Sequence, residues 1–271
     1  MFGIRFSTAL SELKPLNDTP PLVALPVGSR RFVLLRSGRR HGGMTRLFTP
    51  WDIGELTQPF VFLCYSELAP GAKTVVGAQP RIGTLTLVLS GVLTFEEARG
   101  NKGMVVAGGF VWTAPGEVVW HAADRATDEP LRTLQLWIEL SRKPASSTTE
   151  SRCVEPHEVP NEGPVSLILG QIGRVRSRIG HAPLDLNFFH VRLKDGQRWC
   201  YAAPDGHDVT WLAVDRGSLR LEGGRVLREQ VALFERSRRV IDVQAECESS
   251  FVLGSARQES NARRTHLPAC F

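Results

Sequence analysis

Val76-Gly-Ala-Gln-Pro-Arg-Ile-Gly83 and Gly109-Phe-Val-Trp-Thr-Ala-Pro-Gly-Glu-Val-Val-Trp-His121 are the two runs whose reading decides the fold. Both lie within Gly71 to Ala123. Between them, Thr84-Leu-Thr-Leu-Val-Leu89 alternates with period two, which sends every second side chain to the same face of a strand. Val92–Phe95, Met104–Val106 and Gly109–Thr113 read as further strands. Gly100-Asn101 and Pro115-Gly116 are turn signals. Closely spaced short strands with no helical period between them predict a sandwich or barrel.

Outward from this stretch the pattern continues. Arg31–Leu35 and Phe60–Tyr65 precede it. Leu131-Arg-Thr-Leu-Gln-Leu-Trp-Ile-Glu139 follows, alternating with its apolar residues on one face. Ser141 to Ser151 is polar, and prolines recur as far as Pro164, which reads as a linker. Strand-like segments then resume at Val165–Leu169, Leu186–Leu193, Val209–Val214, Ser218–Leu221, Gln230–Phe234, Arg239–Val243 and Ser250–Leu253. A strand, a tight turn and a second strand recur as Leu87–Leu93 and Trp211–Leu219. The expectation is an all-β chain of two tandem antiparallel barrels with few short helices, arisen by duplication. Residues 1–140 form the first barrel, 141–163 the linker, 164–256 the second barrel and 257–271 a poorly ordered tail or surface strap.

Composition narrows the function classes. A chain of 271 residues with 42% hydrophobic and 23% charged content is an ordinary globular protein. Its net charge of +5 is spread over short clusters at Arg36–Arg40, Arg174–Arg178, Arg236–Arg239 and Arg263–Arg264. That is no basic stripe with interleaved aromatics, so no nucleic-acid partner is expected. The cysteines are Cys64, Cys153, Cys200, Cys247 and Cys270, with no CxxC and no zinc spacing, which points to a reducing, cytoplasmic setting. No apolar run is long enough to span a bilayer, and no secretory leader is recognisable. There is no P-loop, dinucleotide fingerprint or nucleophile elbow. His190 and His207 read as structural histidines, and Cys200 and Cys247 as small buried hydrophobes.

Residues 42–140 resemble the pirin family of bicupins. Gly42-Gly-Met-Thr-Arg-Leu-Phe-Thr-Pro-Trp-Asp-Ile-Gly-Glu-Leu-Thr-Gln-Pro-Phe-Val-Phe-Leu63 is similar to the strand and loop that precede a pirin barrel. Thr84 to Gly91 matches a strand that ends in Glu-Gly in typical pirins, here Ser90-Gly91. Ala107 to His121 matches the signature Pro-Gly-Asp…Trp-Met-x-Ala…His, and Pro130 to Ile138 matches the closing strand. Gly163 to Ala256 is similar to the family's metal-free second cupin.

The resemblance implies a metal held by His-Pro-His on the first motif, and by a His with a Glu two residues later on the second. Carried over, the first pair falls on Gln79 and Arg81 around Pro80, or on Gly77 and Gln79 in the ungapped register. The third ligand falls on His121 and the fourth on Ala123. One ligand of four is kept. Fe, Ni, Cu or Mn at His121 is the metal the resemblance would imply, but a lone imidazole does not retain such an ion, and an inward Arg81 would repel it. No cofactor is therefore expected. Glu117 and Asp124 are the nearby carboxylates.

The expected function is non-catalytic: binding or sensing of a small organic anion or aromatic molecule, or regulation through it. The pocket residues are then Gln79, Arg81, Trp112, Glu117, Trp120 and His121. Arg81 offers a fork for carboxylate or phosphate, and the tryptophans offer flat walls. In the competing reading, Arg81 pairs with Glu117 or Asp124 and plugs the barrel, with the tryptophans in the core. The resemblance also implies two other activities: metal-dependent quercetin 2,3-dioxygenase, and a transcription-cofactor-like interaction module.

Overall fold

The computed structural model describes residues 28–77, 79–98, 100–140, 150–179 and 185–258. Among them, the strands form two seven-stranded sheets, two four-stranded sheets and one two-stranded ribbon. The large sheet of the first half runs in the order Arg152–Val154, Phe110–Thr113, Ile82–Ser90, Leu131–Glu139, Phe60–Leu68, Met44–Phe48, Arg39–His41. Its small sheet is Lys73–Gly77, Val118–Ala123, Val92–Glu97, Lys102–Val106. The second half repeats the plan. Its large sheet runs Phe32–Ser37, Gln230–Phe234, Val209–Arg216, Ser249–Ala256, Leu186–Leu193, Val165–Leu169, Asn161–Glu162. Its small sheet is Arg198–Tyr201, Ile241–Ala245, Ser218–Leu221, Gly224–Leu227. The fold is all-β, as the alternation predicted, with the bicupin architecture that the resemblance implied. No helix among the described residues is long and apolar enough to cross a membrane.

Alternation gives each strand of a large sheet two destinations. In the first half, Leu63, Leu85, Leu87, Trp112, Leu134, Leu136 and Ile138 face the other half. There they form one core with Phe188, Trp211, Ala213 and Val252. Trp211 sits at its centre, its ring edge-on to Phe48 at 5.4 Å and to Phe60 at 5.3 Å. The two large sheets are therefore packed back to back by the largest apolar cluster among the described residues. Two glycines make room for the tryptophans. A Cβ on Gly83 would collide with Trp112, and one on Gly254 would collide with Trp211.

The opposite faces line the two barrel interiors, and these differ. The second interior is filled by eighteen buried residues, including Phe189, Leu212, Val243 and Phe251. The first gathers only six, namely Val88, Leu93, Val105, Val111, Ala123 and Leu131. Its remaining inward positions mix polar groups such as Thr84, Thr86 and His121 with apolar ones such as Phe95, Val119 and Trp137.

The sheets do not respect the sequence bounds. Phe32–Ser37, grouped by position with the first barrel, pairs with Gln230–Phe234 and covers that edge of the second half's sheet. Within the expected linker, Arg152–Val154 pairs with Phe110–Trp112, and Asn161–Glu162 pairs with Val165–Ser166. Residues 141–149 and 259–271 lie outside the described residues. The strands Lys73–Gly77 and Val118–Ala123 also went unread in the sequence. Cys64, Cys153, Cys200 and Cys247 are free thiols, and Cys200 and Cys247 are exposed rather than buried as read from the sequence.

Candidate functional site

Two crossings between the sheets close one end of the first barrel. The carbonyl of Gln79 accepts from the amide of Gly116 at 3.1 Å and from that of Ile82 at 3.3 Å, tying the Gln79–Arg81 loop to the Pro115-Gly116 turn. At the other end, the Ala123 carbonyl accepts from Gly71 at 3.0 Å, and Asp124 donates to Val92 at 3.1 Å. Strand register places the inward side chains between these ends. On the large sheet, Thr84 stands opposite Thr113 and Trp137, and Thr86 stands opposite Val111 and Gln135. On the facing sheet, His121 stands opposite Thr74 and Phe95. Trp137 packs on Phe62, with ring centroids 4.5 Å apart and planes inclined by 32°.

Gln135 and Trp137 belong to a strand flanked on both sides, and they point away from the shared core. Both are nevertheless only half-buried. Solvent therefore reaches the barrel interior beside them. Around it lie buried polar atoms without a partner: Gln79 Oε1, Thr113 Oγ1, Thr86 Oγ1, and both Nδ1 and Nε2 of His121. Such groups cost about 1–3 kcal/mol each when left dry, so this chamber is built to hold water or a ligand. His121 is 1% exposed. Burial lowers its pKa to about 4, so the ring is neutral, with one N–H to donate and one lone pair to accept. The neighbouring Cys64 thiol is pushed up to about 12 by burial and stays protonated.

The residues singled out from the sequence do not form one constellation. Gln79 bonds Gly116, which lies in the turn five residues before His121 and at most about 16 Å from it along the chain. Arg81 has a left-handed backbone, φ 69°, and pairs with Glu139 at 3.4 Å. Its charge is compensated there by the Glu139 carboxylate. Trp112 is buried in the core between the halves, not in the chamber. Trp120 lies on the outer face, 43% exposed and opposite Val75. Glu117 stays at the turn near the Gln79 end, and Ala123 joins the apolar cluster at the other end. Of the pocket candidates, the structure leaves His121 in the chamber and Gln79 at its mouth. The Arg81 guanidinium, expected as an anion fork with His121, is paired with Glu139 instead.

The sequence reading missed Thr84, Thr86, Thr113, Gln135 and Trp137. A signal was present. In Leu131–Glu139 the residues Leu134, Leu136 and Ile138 share one face, which puts Thr133, Gln135 and Trp137 on the other. In the second half, His207 bonds Ser255 Oγ at 2.8 Å and Asp185 Oδ1 at 3.0 Å. Ser255 is fully buried and shares its hydroxyl with Tyr201 at 2.7 Å, so it is no exposed nucleophile. His190 faces the core between the halves and does not meet His207.

The donor set does not fit a resident metal. Among the described residues, no three His, Cys, Asp or Glu side chains gather. His121 offers one nitrogen, and Ala123 offers nothing. Gly77 has φ 98°, and a Cβ there would meet the Glu117 carbonyl, so no ligating side chain fits at that position.

Comparison with known proteins agrees with the architecture. The pirin family profile matches residues 44–138. A Pseudomonas aeruginosa protein whose name assigns it provisionally to the quercetin 2,3-dioxygenases is 30% identical over 63% of this chain and 65% of its own length. This chain thus spans just under two thirds of that relative. Pirin-like protein 2 of Arabidopsis thaliana is 27% identical over 83% of this chain and 69% of its own. Among solved structures, a quercetin 2,3-dioxygenase of Acinetobacter baumannii superposes with a TM-score of 0.73 at 19% identity, covering 85% of this chain and 88% of its own. The Escherichia coli pirin YhhW in complex with nickel(II) superposes at 0.64 and 16%, covering 83% and 98%. Residues 44–138 match the pirin family profile, and they lie within a two-barrel cupin fold.

Proposed function

We propose that the first barrel is a binding chamber for a small, flat, uncharged aromatic molecule bearing hydroxyl or carbonyl oxygens, held without a resident metal. The protein then acts as a ligand-binding or ligand-sensing member of its family. One observation carries this reading: the unpartnered Thr86, Thr113 and His121 stand in the same solvent-reached interior as the Trp137–Phe62 pair. Stacking on Trp137 contributes about 0.5–1.5 kcal/mol beyond burial. Each hydrogen bond to a hydroxyl or to the neutral imidazole adds about 1 kcal/mol and orients the ring. An anion gains little here, because Arg81 is engaged by Glu139.

A second reading, quercetin dioxygenation, rests on the names of two relatives. It needs a metal with open positions, and His121 by itself does not supply the donors. Titration with quercetin, followed by tryptophan fluorescence, tests the chamber directly. The expected result is saturable quenching, weakened about tenfold in Trp137→Ala and severalfold in Thr86→Val. Equal affinity in Trp137→Ala contradicts the reading.

A further inference from the structure

A second cavity, of about 430 Å³, opens where the two halves meet, and the chamber reading does not use it. Tyr65 and Arg132 come to it from neighbouring strands of the first half's large sheet, and Glu229 comes from the second half. Tyr65 is 2% exposed, and its hydroxyl has no partner. Arg132 lies over its ring, with Cζ 5.0 Å from the centroid. Through Nη1 the same guanidinium is paired with Asp215 across the junction. Its Nη2 makes no hydrogen bond and stands 4.0 Å from Glu229 Oε1. Glu229 is gripped in turn by Arg40, at 2.9 Å. Glu67 completes the polar lining, and Pro70 and Pro130 present flat apolar rings.

The chemistry of the lining narrows its ligand. Arg40 and Arg132 balance Glu67 and Glu229, so neither an anion nor a cation is favoured overall. A carboxylate reaching Arg132 would also meet Asp215 and Glu229. Burial raises the Tyr65 phenol well above its ordinary range, and Asp215 adds to this, so the group is a neutral hydroxyl that both donates and accepts. Guanidinium N–H donors of Arg40 and Arg132 and carboxylate acceptors of Glu67 and Glu229 line the same cleft. A ligand group that donates and accepts at once matches that mixed lining, and the hydroxyl is that group. We propose that this cleft binds a small neutral polyhydroxy compound of monosaccharide size. Its hydroxyls contact Tyr65, the free nitrogen of Arg132 and the carboxylates of Glu67 and Glu229, and its C–H face rests on the prolines. Because Glu229 belongs to one half and Tyr65 to the other, the ligand bridges the two.

The test uses the full chain, ¹⁵N-labelled, titrated with glucose, mannitol and myo-inositol, with acetate and methylammonium as charged controls. The expected result is that at least one polyol shifts the amides of Ser66, Glu67 and Glu229, with affinity about tenfold weaker in Tyr65→Phe. Tyr65→Phe keeps the ring and the core. Glu67→Gln, at an exposed position, is the second variant and weakens the same polyol severalfold. The proposal is overturned if no polyol moves those amides, if only a charged control does, or if both variants bind as the parent does. A Trp137→Ala chain that still binds the polyol separates this site from the chamber.

Discussion

His121 carries its consequence in its protonation. The folded protein holds it neutral, with a pKa of about 4, and holds His190 likewise at about 4, in both cases chiefly by burial. In the unfolded chain both imidazoles take up a proton near pH 6.5. Below that pH the unfolded state binds more protons, so stability falls as the pH is lowered from about 6.5 toward 4 and rises on the return. His121→Gln removes one of these protons. Urea unfolding between pH 7 and 4.5 is expected to show a shallower acid loss in the variant, and identical slopes would contradict the buried neutral ring. At this scale the sequence was legible only in part. His121 stood out as a lone histidine in a barrel motif. Nothing local to Arg81 announced Glu139, which is 58 residues away and reaches it only through sheet pairing.

Among the elements, the strand Leu131–Glu139 shows what alternation reveals and what it withholds. Period two separates Leu134, Leu136 and Ile138 from Thr133, Gln135 and Trp137 without any structure. It does not say which face meets the other half and which faces a chamber. That depends on Trp211, which lies on a strand of the other half. The same gap sent Trp112 and Trp120 to the pocket in the sequence reading, and each lies on a face away from it. Two stability predictions belong here. Gly83→Ala is expected to cost about 1–3 kcal/mol by forcing Trp112 out of place. Trp211→Ala is expected to cost about 3–5 kcal/mol through the cavity it leaves in the shared core. Chemical unfolding reads both, and an unchanged midpoint for Trp211→Ala would deny the back-to-back packing its role.

In the whole molecule, the two halves are interlocked. Phe32–Ser37 completes the second half's sheet, and the buried Arg30 donates to Thr210 at 2.9 Å inside that half. A fragment of residues 164–256 lacks both, and is expected to unfold at lower urea than a chain of residues 28–258. An equal midpoint would mean that the exchanged strand adds no stability. Two repeats of short strands were legible because turns and alternation are local. The exchange was not, because an edge strand carries no mark of the sheet it will join. The contrast between a second barrel filled with apolar side chains and a first one that mixes them with unpartnered polar groups also emerges only when faces are assigned.

The account rests on a chamber whose donors suit a ligand and do not suit a metal. Elemental analysis of the purified protein, before and after incubation with iron, nickel, copper and manganese, with quercetin turnover followed in each sample, tests this most directly. The account predicts metal far below one ion per chain and no turnover above the metal-only control. Near-stoichiometric metal retained through gel filtration, together with quercetin consumption that is lost in His121→Ala, would contradict it.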